Sequence, residues 1–597
     1  MTRGLILVEN LALAAALAAL ALLPIIEIAL RAAFQVGIPG AQTFAQHFAL
    51  AAGMLGAAVA AREARLLALS ALPTMLGGRV LAAARFFAGV VAAAVTALLF
   101  VASLEFVLAE RAGGNVITQG VPVWLGEAVL PLGFALIALR LAVNCGRSWV
   151  ARGAALLIAL AVAGAAAGGV PLNNTCALAL LAALLVAAIL GSPIFTTLAG
   201  AALVLFWADG LPIASIALDH YRLVVNSSLP MIPLFTLAGY FLAEGGAPRR
   251  LIRACNALFA GMRGGAAIVT VAACAFFTSF SGASGVTIIA LGGMLMPLLR
   301  SAGYTEKAAL GLLIGAGSVG GLLPPGLPLV LFAIVAKVSI EDMFLAGILP
   351  GLLMVGLIAL WGVRHAGVRT ERAAFDAREL RAALWDAKWE LALPLVPLGA
   401  LFSGLATVVE AAALTAVYAF AVQVLVHRDL HLRRDVPRVM AECGLLVGGI
   451  LLILGVALGL TNYLVDARIP ELAVDWGRQA FDSRWTFLIA LNVFLLAAGC
   501  LLDIFSATVV LVPLLLPLGV AFGVDPLHLG IIFLANMELG YLTPPVGMNL
   551  FFAAYRFGKP LGEVVRAALP PIAVLALGVA LITFQPWLAT AFVARSP

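Results

Sequence analysis

Two apolar stretches are each broken at their middle by glycine and a Pro-Pro pair, and these breaks limit the possible folds more than any other feature. The first is Ser318-Val-Gly-Gly-Leu-Leu-Pro-Pro-Gly-Leu-Pro-Leu-Val-Leu-Phe332. The second is Glu538-Leu-Gly-Tyr-Leu-Thr-Pro-Pro-Val-Gly-Met-Asn-Leu-Phe-Phe552. Pro324-Pro325 and Pro544-Pro545 lie 220 residues apart, and aligning them places Gly320 on Gly540 and Leu323 on Thr543. Proline lacks an amide donor and clashes with the preceding turn, so each helix opens there. The surrounding solvent is lipid: the 597 residues are 64% hydrophobic and 11% charged, with mean hydropathy +1.13. That is the composition of a polytopic helical membrane protein, not of a soluble enzyme. Open backbone inside a bilayer survives only where protein or a polar cavity satisfies it.

Each break is preceded, about 40 residues upstream, by a polar tip between short apolar runs. The first tip is Thr278-Ser-Phe-Ser-Gly-Ala-Ser-Gly285, between Ala266–Phe277 and Val286–Leu299. The second is Asp503-Ile-Phe-Ser-Ala-Thr508. The flanking runs are too short to span comfortably, because a crossing takes roughly 20 residues. Both read as re-entrant hairpins. Hairpin plus broken helix therefore occurs twice, and paired interruptions in corresponding halves point to the substrate and ion sites of a transporter.

Arginine placement sets the orientation. Arg249, Arg250, Arg253 and Arg263 make the 248–265 loop cytoplasmic, and Arg428, Arg433, Arg434 and Arg438 mark a second inner loop. The first hairpin, flanked by Arg300 and Lys307, then enters from the cytoplasm and the second from outside, which makes an inverted repeat. The 207–228 stretch reads as an outer loop. Arg147 inside and Trp207 outside require an odd number of crossings; three are favoured (148–170 and two within 176–206), and one is the alternative. The segment 364–388, with Arg364, Arg369, Arg372, Arg378, Arg381 and Lys388, reads as an amphipathic cytoplasmic arm whose Trp385 and Trp389 suit the interface. The apolar run after Arg3 and Glu9 is long enough to stay as an anchor, which reads against a cleaved signal. Six scattered cysteines, with no CxxC pair, read as small core residues rather than disulfides or ligands.

Residues 176 to the end resemble the large membrane subunit of a tripartite ATP-independent periplasmic (TRAP) transporter. The resemblance rests on Ser281-Gly-Ala-Ser-Gly285, Gly303-Tyr304, Pro324-Pro325, Phe344-Leu-Ala-Gly-Ile-Leu-Pro-Gly351, Glu410-Ala-Ala-Ala413, Asp503, Asp525-Pro526 and Leu542-Thr-Pro-Pro-Val-Gly547 in order. Residues 1–147 read as four spans near 11–34, 45–62, 79–104 and 122–143 with both ends cytoplasmic. They resemble the small four-helix TRAP subunit through Arg31, Arg62-Glu63 and Pro131-Leu-Gly-Phe134. Glu27 and Arg31, one turn apart on the first span, read as a structural pair.

The expected fold is thus an all-α polytopic membrane protein with an N-terminal four-helix module (1–147), a connecting transmembrane helix (148–175) and a large permease module (176–597). Within the last lie hairpin 1 (about 266–300), broken helix 306–337, the arm 364–388, hairpin 2 (about 485–522) and broken helix 527–557. The resemblance implies an elevator mechanism, Na⁺ as the coupling ion and no other cofactor. It also implies a periplasmic substrate-binding protein as partner, in a bacterial inner membrane. Nothing in the charge pattern suggests nucleic acid.

Freed carbonyls and hydroxyls are hard oxygen ligands suited to Na⁺, whereas hairpin helix N-termini favour an anion. The candidate Na⁺ ligands are Ser281, Ser284, Gly317, Gly320, Leu323 and Gly326 at the first break, and Ser506, Thr508, Gly540, Thr543 and Val546 at the second. The candidate substrate contacts are Ser281, Gly282, Ala283, Ser284, Asp503, Ser506, Pro325 and Pro545. The competing reading of these Gly and Ser residues is close helix packing. Asp503 and Glu538 each need a polar cavity or a partner, since a carboxylate at a helix centre costs ~2.5–3.5 kcal/mol. For both a hairpin-locking hydrogen bond is the alternative, and for Glu410 a helix-capping or packing role is expected. Asp503 is followed by Phe505-Ser506 where many TRAP relatives carry Thr-Pro.

Gly282-Ala-Ser-Gly285 also fits the GxSG pattern of intramembrane serine proteases. A serine nucleophile needs a base within reach, and the six histidines (His47, His220, His365, His427, His431, His528) lie at span ends or in loops. There is no Walker A lysine motif, so ATP does not drive transport directly. The expectation is a Na⁺-coupled carrier of an organic anion, a C4-dicarboxylate or sugar acid. A stand-alone Na⁺- or H⁺-coupled carboxylate symporter is the rival, and a channel is disfavoured by two occluding hairpins.

Overall fold

The computed structural model describes residues 3–68, 77–118, 120–146, 148–259, 262–282, 284–366, 376–404 and 406–593, without the side chains of Arg3 and Leu5. Arg147, Ala283, Arg369 and Arg372 lie outside the described residues. The described chain is nearly all helix, and 12 of its helices are long and apolar enough to cross a membrane, or up to 13 if the bent pair Glu306–Leu322 and Leu327–Ala336 counts as one span. Two compact units emerge, Met1–Leu234 with Arg433–Ile469, and Phe235–Leu432 with Pro470–Pro597.

In the first unit the N-terminal helices are Arg3–Phe34, Ala41–Arg62, Gly78–Gly113 and the pair Val123–Glu127 and Val129–Asn144. An internal ion cluster ties Arg3–Phe34, Ala41–Arg62 and Val129–Asn144 together. The Glu9 carboxylate accepts from Arg62 at 2.6 Å and also from Arg140, and Arg62 reaches Asn10 at 2.9 Å. Three helices follow, Trp149–Ala167, which is long and apolar enough to cross a membrane, and the shorter apolar helices Asn174–Ile189 and Ile194–Ala208. The long Asp435–Asp466 helix packs on Ala41–Arg62. Glycines let the two backbones touch: a Cβ on Gly448 would lie 2.7 Å from the Gly56 Cα. Small residues are what permit such close helix approach in lipid. Arg65 adds an ion pair to Glu442 at 2.8 Å.

The 207–228 stretch is more than an outer loop. Ala214–Val224 is a helix with Ile216, Ala217, His220 and Val224 buried. Its polar residues lower the hydropathy below that of a span, but the apolar set recurs at helical spacing and packs on the Asp435–Asp466 helix. His220 fills the notch left by Gly455 and meets Phe134 edge-on.

In the second unit a five-helix sequence occurs twice at a spacing of about 220 residues. Gly265–Ser281, Ser284–Ser301, Glu306–Ser318, Leu327–Ala336 and Ile340–Arg364 correspond to Arg484–Leu501, Ile504–Ala521, Pro526–Gly540, Met548–Phe557 and Leu561–Phe584. The third helix of each set starts with a side-chain cap at equivalent positions, Thr305 and Asp525. Both Pro-Pro bonds are cis. The packing is reciprocal. Ser284–Ser301 lies on Met548–Phe557, and Ile504–Ala521 lies on Leu327–Ala336. Likewise Glu306–Ser318 packs on Leu561–Phe584, Pro526–Gly540 packs on Ile340–Arg364, and the two fifth helices contact each other.

The arm is anchored by charge. Ala377–Asp386 docks on Ala247–Phe259 through buried Ala254, Ala383 and Ala387. Arg253 pairs with Glu379 at 2.8 Å and Asp386 at 3.4 Å. Arg250 pairs with buried Glu390 at 2.7 Å and with Asp429 at 2.8 Å. Trp385 is exposed and carries the Lys388 ammonium 3.4 Å above its ring. Glu410 closes a capping box with Thr407, as the sequence led one to expect. The six cysteines are unpaired, and Cys145, Cys274, Cys443 and Cys500 are buried.

Candidate functional site

The two hairpins and two breaks belong to the second unit. Hairpin 1 turns at Gly282, whose φ of 65° is left-handed backbone that glycine adopts without cost. The Gly282 N–H donates to the Thr278 carbonyl at 2.9 Å, ending the Gly265–Ser281 helix. A Cβ on Gly282 would run into Leu327, so the tip sits against the half-helix that follows the first break. Ser281 and Ser284 are both buried. The Ser284 hydroxyl donates to the Asn549 side-chain oxygen at 2.9 Å, just past the second break. Ala283 is not among the described residues.

The first break runs from Val319–Leu322, a 3₁₀ turn, through Leu323 and the Pro-Pro pair to Gly326, and bends the helix by 41°. The Gly320 carbonyl accepts from Leu323, and the Leu323 carbonyl from Gly326. The Gly317 carbonyl accepts the Thr278 hydroxyl at 2.9 Å. Each of these oxygens therefore already accepts a hydrogen bond, and a carbonyl carries two lone pairs. Gly320 abuts Ala275 and Thr278 of hairpin 1, so close packing and candidate ligation coincide there.

The second break is laid out alike. The Gly540 carbonyl accepts from the Thr543 N–H at 2.9 Å, and Gly540 abuts Gly499 of hairpin 2. The Thr543 hydroxyl donates to the Leu539 carbonyl at 2.9 Å, and the Thr508 hydroxyl to the Ile504 carbonyl at 2.6 Å. Pro544 and Pro545 are exposed and Val546 is half-buried, whereas Pro325 and Gly326 are buried.

Asp503 caps the Ile504–Ala521 helix. Its carboxylate accepts the N–H groups of Phe505 and Ser506, each at 3.0 Å, and the Ser506 hydroxyl. The positive end of this helix thus already faces a carboxylate of its own chain. Asp503 has the geometry of the hairpin-locking alternative, and Ser506 is part of that lock.

Glu538, two residues before Gly540 of the second break, is buried with its carboxylate against the first break. The Ser318 hydroxyl donates to the Glu538 carbonyl at 2.8 Å and to its carboxylate at 3.0 Å. Gly321 leaves room for the carboxylate, since a Cβ there would collide with it. Asn549 approaches Ser318 at 3.4 Å through its side-chain nitrogen. Sequence reasoning left Ser318 and Asn549 out of the site. The available signal was a polar side chain inside an apolar run on either side of a break. Among the described residues no three His, Cys, Asp or Glu side chains converge as a transition metal would require. The oxygens gathered here suit a hard cation.

Two family profiles match the chain. Residues 178–588 match "Tripartite ATP-independent periplasmic transporter, DctM component", and residues 20–151 match "Tripartite ATP-independent periplasmic transporters, DctQ component". The C4-dicarboxylate TRAP transporter large permease protein DctM of Pseudomonas aeruginosa is 34% identical over 391 residues, 65% of this chain and 91% of that protein. The isethionate TRAP transporter permease protein DctMQ of Oleidesulfovibrio alaskensis is 31% identical over 402 residues, 67% of this chain and 63% of that protein. The ectoine/5-hydroxyectoine TRAP transporter large permease protein UehC of Ruegeria pomeroyi is 31% identical over 373 residues, 61% of this chain and 85% of that protein.

Proposed function

This chain belongs to the tripartite ATP-independent periplasmic transporter family, with small and large membrane subunits fused, and on that premise we propose that it uses Na⁺ to import an organic anion handed over by a periplasmic substrate-binding protein. It is a multi-pass membrane protein, which we place in a bacterial inner membrane. Relatives named for C4-dicarboxylates, isethionate and ectoine support a small solute bearing an anionic group, and we favour a carboxylate, a C4-dicarboxylate or sugar acid. Selectivity among such anions rests with the separate binding protein.

The observation that carries this reading is the twofold occurrence of hairpin and broken helix, with hydroxyls and carbonyls gathered at each break. One Na⁺ per break is the corresponding stoichiometry. The hairpin 2 helix terminus is occupied by Asp503. The substrate anion is therefore assigned to the hairpin 1 tip, around Ser281, Gly282 and Ser284. In an elevator cycle the hairpin-bearing part slides against a scaffold that includes residues 1–147.

The test is reconstitution in proteoliposomes. Uptake should require both the cognate binding protein and an inward Na⁺ gradient, and should fail in choline. Robust uptake by the chain alone would move the assignment to a stand-alone symporter. Uptake driven by a pH gradient in choline would remove the Na⁺ coupling.

A further inference from the structure

In the first unit two helices end side by side in the same kind of turn. Trp149–Ala167 closes on Gly169, at φ 68°, and the Val170 N–H donates to the Ala165 carbonyl at 3.1 Å. Ile194–Ala208 closes on Gly210, at φ 67°, and the Leu211 N–H donates to the Phe206 carbonyl at 2.8 Å. Both are glycine-capped Schellman turns. The Trp207 indole N–H donates to the Val170 carbonyl at 2.8 Å and joins the two. Between these turns and the Gly78–Gly113 helix lies a cavity of about 380 Å³, lined by both turns, the Trp207 ring and Glu105.

Every element of this lining favours positive charge. Two helix C-termini present their negative dipole ends. Glu105 adds a carboxylate that has no hydrogen bond or ion pair among the described residues. Trp207 adds an aromatic ring, and its own donor is spent on Val170. No Lys, Arg or His lines the cavity among the described residues. A carboxylate beside an indole face is what a guanidinium or ammonium group pairs with and stacks on. The surroundings carry the same sign. With 207–228 outside, the outer segments 105–128, 207–228 and 463–469 of this unit hold six acidic residues against Arg111, Arg222 and Arg468. Such a surface steers and orients a basic partner. One wall is peculiar to the fused chain. Residues 152–177 lie between the two family matches, 20–151 and 178–588, so the turn at 166–172 belongs to the connector and to neither subunit type.

We propose that this cavity is a socket for a basic side chain, arginine or lysine, of the periplasmic substrate-binding protein, with Glu105 as its counter-charge and Trp207 as its stacking face. The socket rests on the tripartite reading above and names one contact of that partner. It gives the connector a role beyond joining two modules, because the connector supplies one wall. The ammonium of a zwitterionic lipid headgroup has the same local chemistry. The acidic excess over the whole outer face favours the protein, since a lipid of zero net charge does not answer it.

The experiment measures the Kd of the purified cognate binding protein for the full chain by biolayer interferometry. The chain sits in phosphatidylglycerol nanodiscs, where no lipid ammonium competes, and KCl is varied at constant Na⁺. Wild-type affinity should fall as KCl rises. Glu105→Gln should raise Kd about fivefold or more at low salt and flatten that salt response. Glu105→Asp, which keeps the charge, should retain most of the affinity. Leu211→Lys, at a lining position that is 44% exposed, sets the chain's own ammonium in the socket and should weaken binding to a similar extent. It carries the test if the Gln variant does not fold. Wild-type Kd and salt response in both Glu105→Gln and Leu211→Lys overturn the proposal. So does an unchanged Kd in Glu105→Gln when phosphatidylethanolamine raises the thermal stability of wild type but not of this variant, which assigns the cavity to lipid. Uptake that needs the binding protein, with Kd unchanged in both variants, sinks the socket alone. Robust uptake by the chain without the binding protein sinks the tripartite reading and the socket with it.

Discussion

Replacing Asp503 separates two roles that a buried carboxylate at a hairpin tip can have. In the structure its oxygens are spent on the Phe505 and Ser506 N–H groups and the Ser506 hydroxyl. Asp503→Ala removes all three acceptor contacts. Loss of an N-cap costs ~0.5–2 kcal/mol, and a buried hydroxyl deprived of its acceptor adds about 1 kcal/mol. The expected total is roughly 1.5–3 kcal/mol, which raises local opening ~13- to 160-fold. Asp503→Asn keeps one oxygen for the two N–H groups, and its amide can donate to Ser506, which then acts as acceptor. Asn caps about as well as Asp, so the cost should stay within about 1 kcal/mol. Amide hydrogen exchange over residues 504–510, in the full chain in detergent, reads both values. Uptake measured beside it should follow the exchange, nearly intact in the Asn variant and strongly reduced in the Ala variant. Exchange in the Asn variant as fast as in the Ala variant would refute the capping arithmetic. An Asn variant that stays protected yet loses uptake would show that the negative charge meets an ion or solute directly.

Gly448→Ala should lower thermal stability by ~1–3 kcal/mol, because its methyl group must force apart two helix backbones rather than a flexible side chain; differential scanning fluorimetry checks it. The Arg253 guanidinium holds the Glu379 carboxyl below its ordinary value. A depressed folded-state value stabilises arm docking above the unfolded value and loses that contribution as pH falls through the folded one. Docking of Ala377–Asp386, followed by exchange, should therefore be flat between about pH 6 and 8 and weaken below about pH 4. High salt should weaken the same docking, since both partners are half-exposed. A reporter fused after Arg152 or at Arg372 should lie in the cytoplasm and one near Asp466 in the periplasm; finding Arg372 outside would undo the assigned hairpin directions.

The sequence by itself determined the parts whose causes are local. Proline removes a donor wherever it stands, so the openings near Pro324 and Pro544 were legible; the flanking runs read as too short to cross, whereas Ser284–Ser301, Arg484–Leu501 and Ile504–Ala521 are each long and apolar enough to do so. The Thr407/Glu410 cap was legible because it needs only three residues of spacing. The helix Ala214–Val224 was not, because its hydropathy is diluted by polar residues and only its burial on another helix reveals the apolar face. Nor was the use of Asp503, since a mid-membrane carboxylate reads alike whether it caps its own helix or meets an ion. Only the tertiary structure brought Ser318 to Glu538 and Ser284 to Asn549, contacts across 220 and 265 residues. Hydropathy and helix breaking act through neighbours in the chain. The partner of a buried polar group is fixed by which helices exclude lipid from one another, and that depends on the packing of both repeats together.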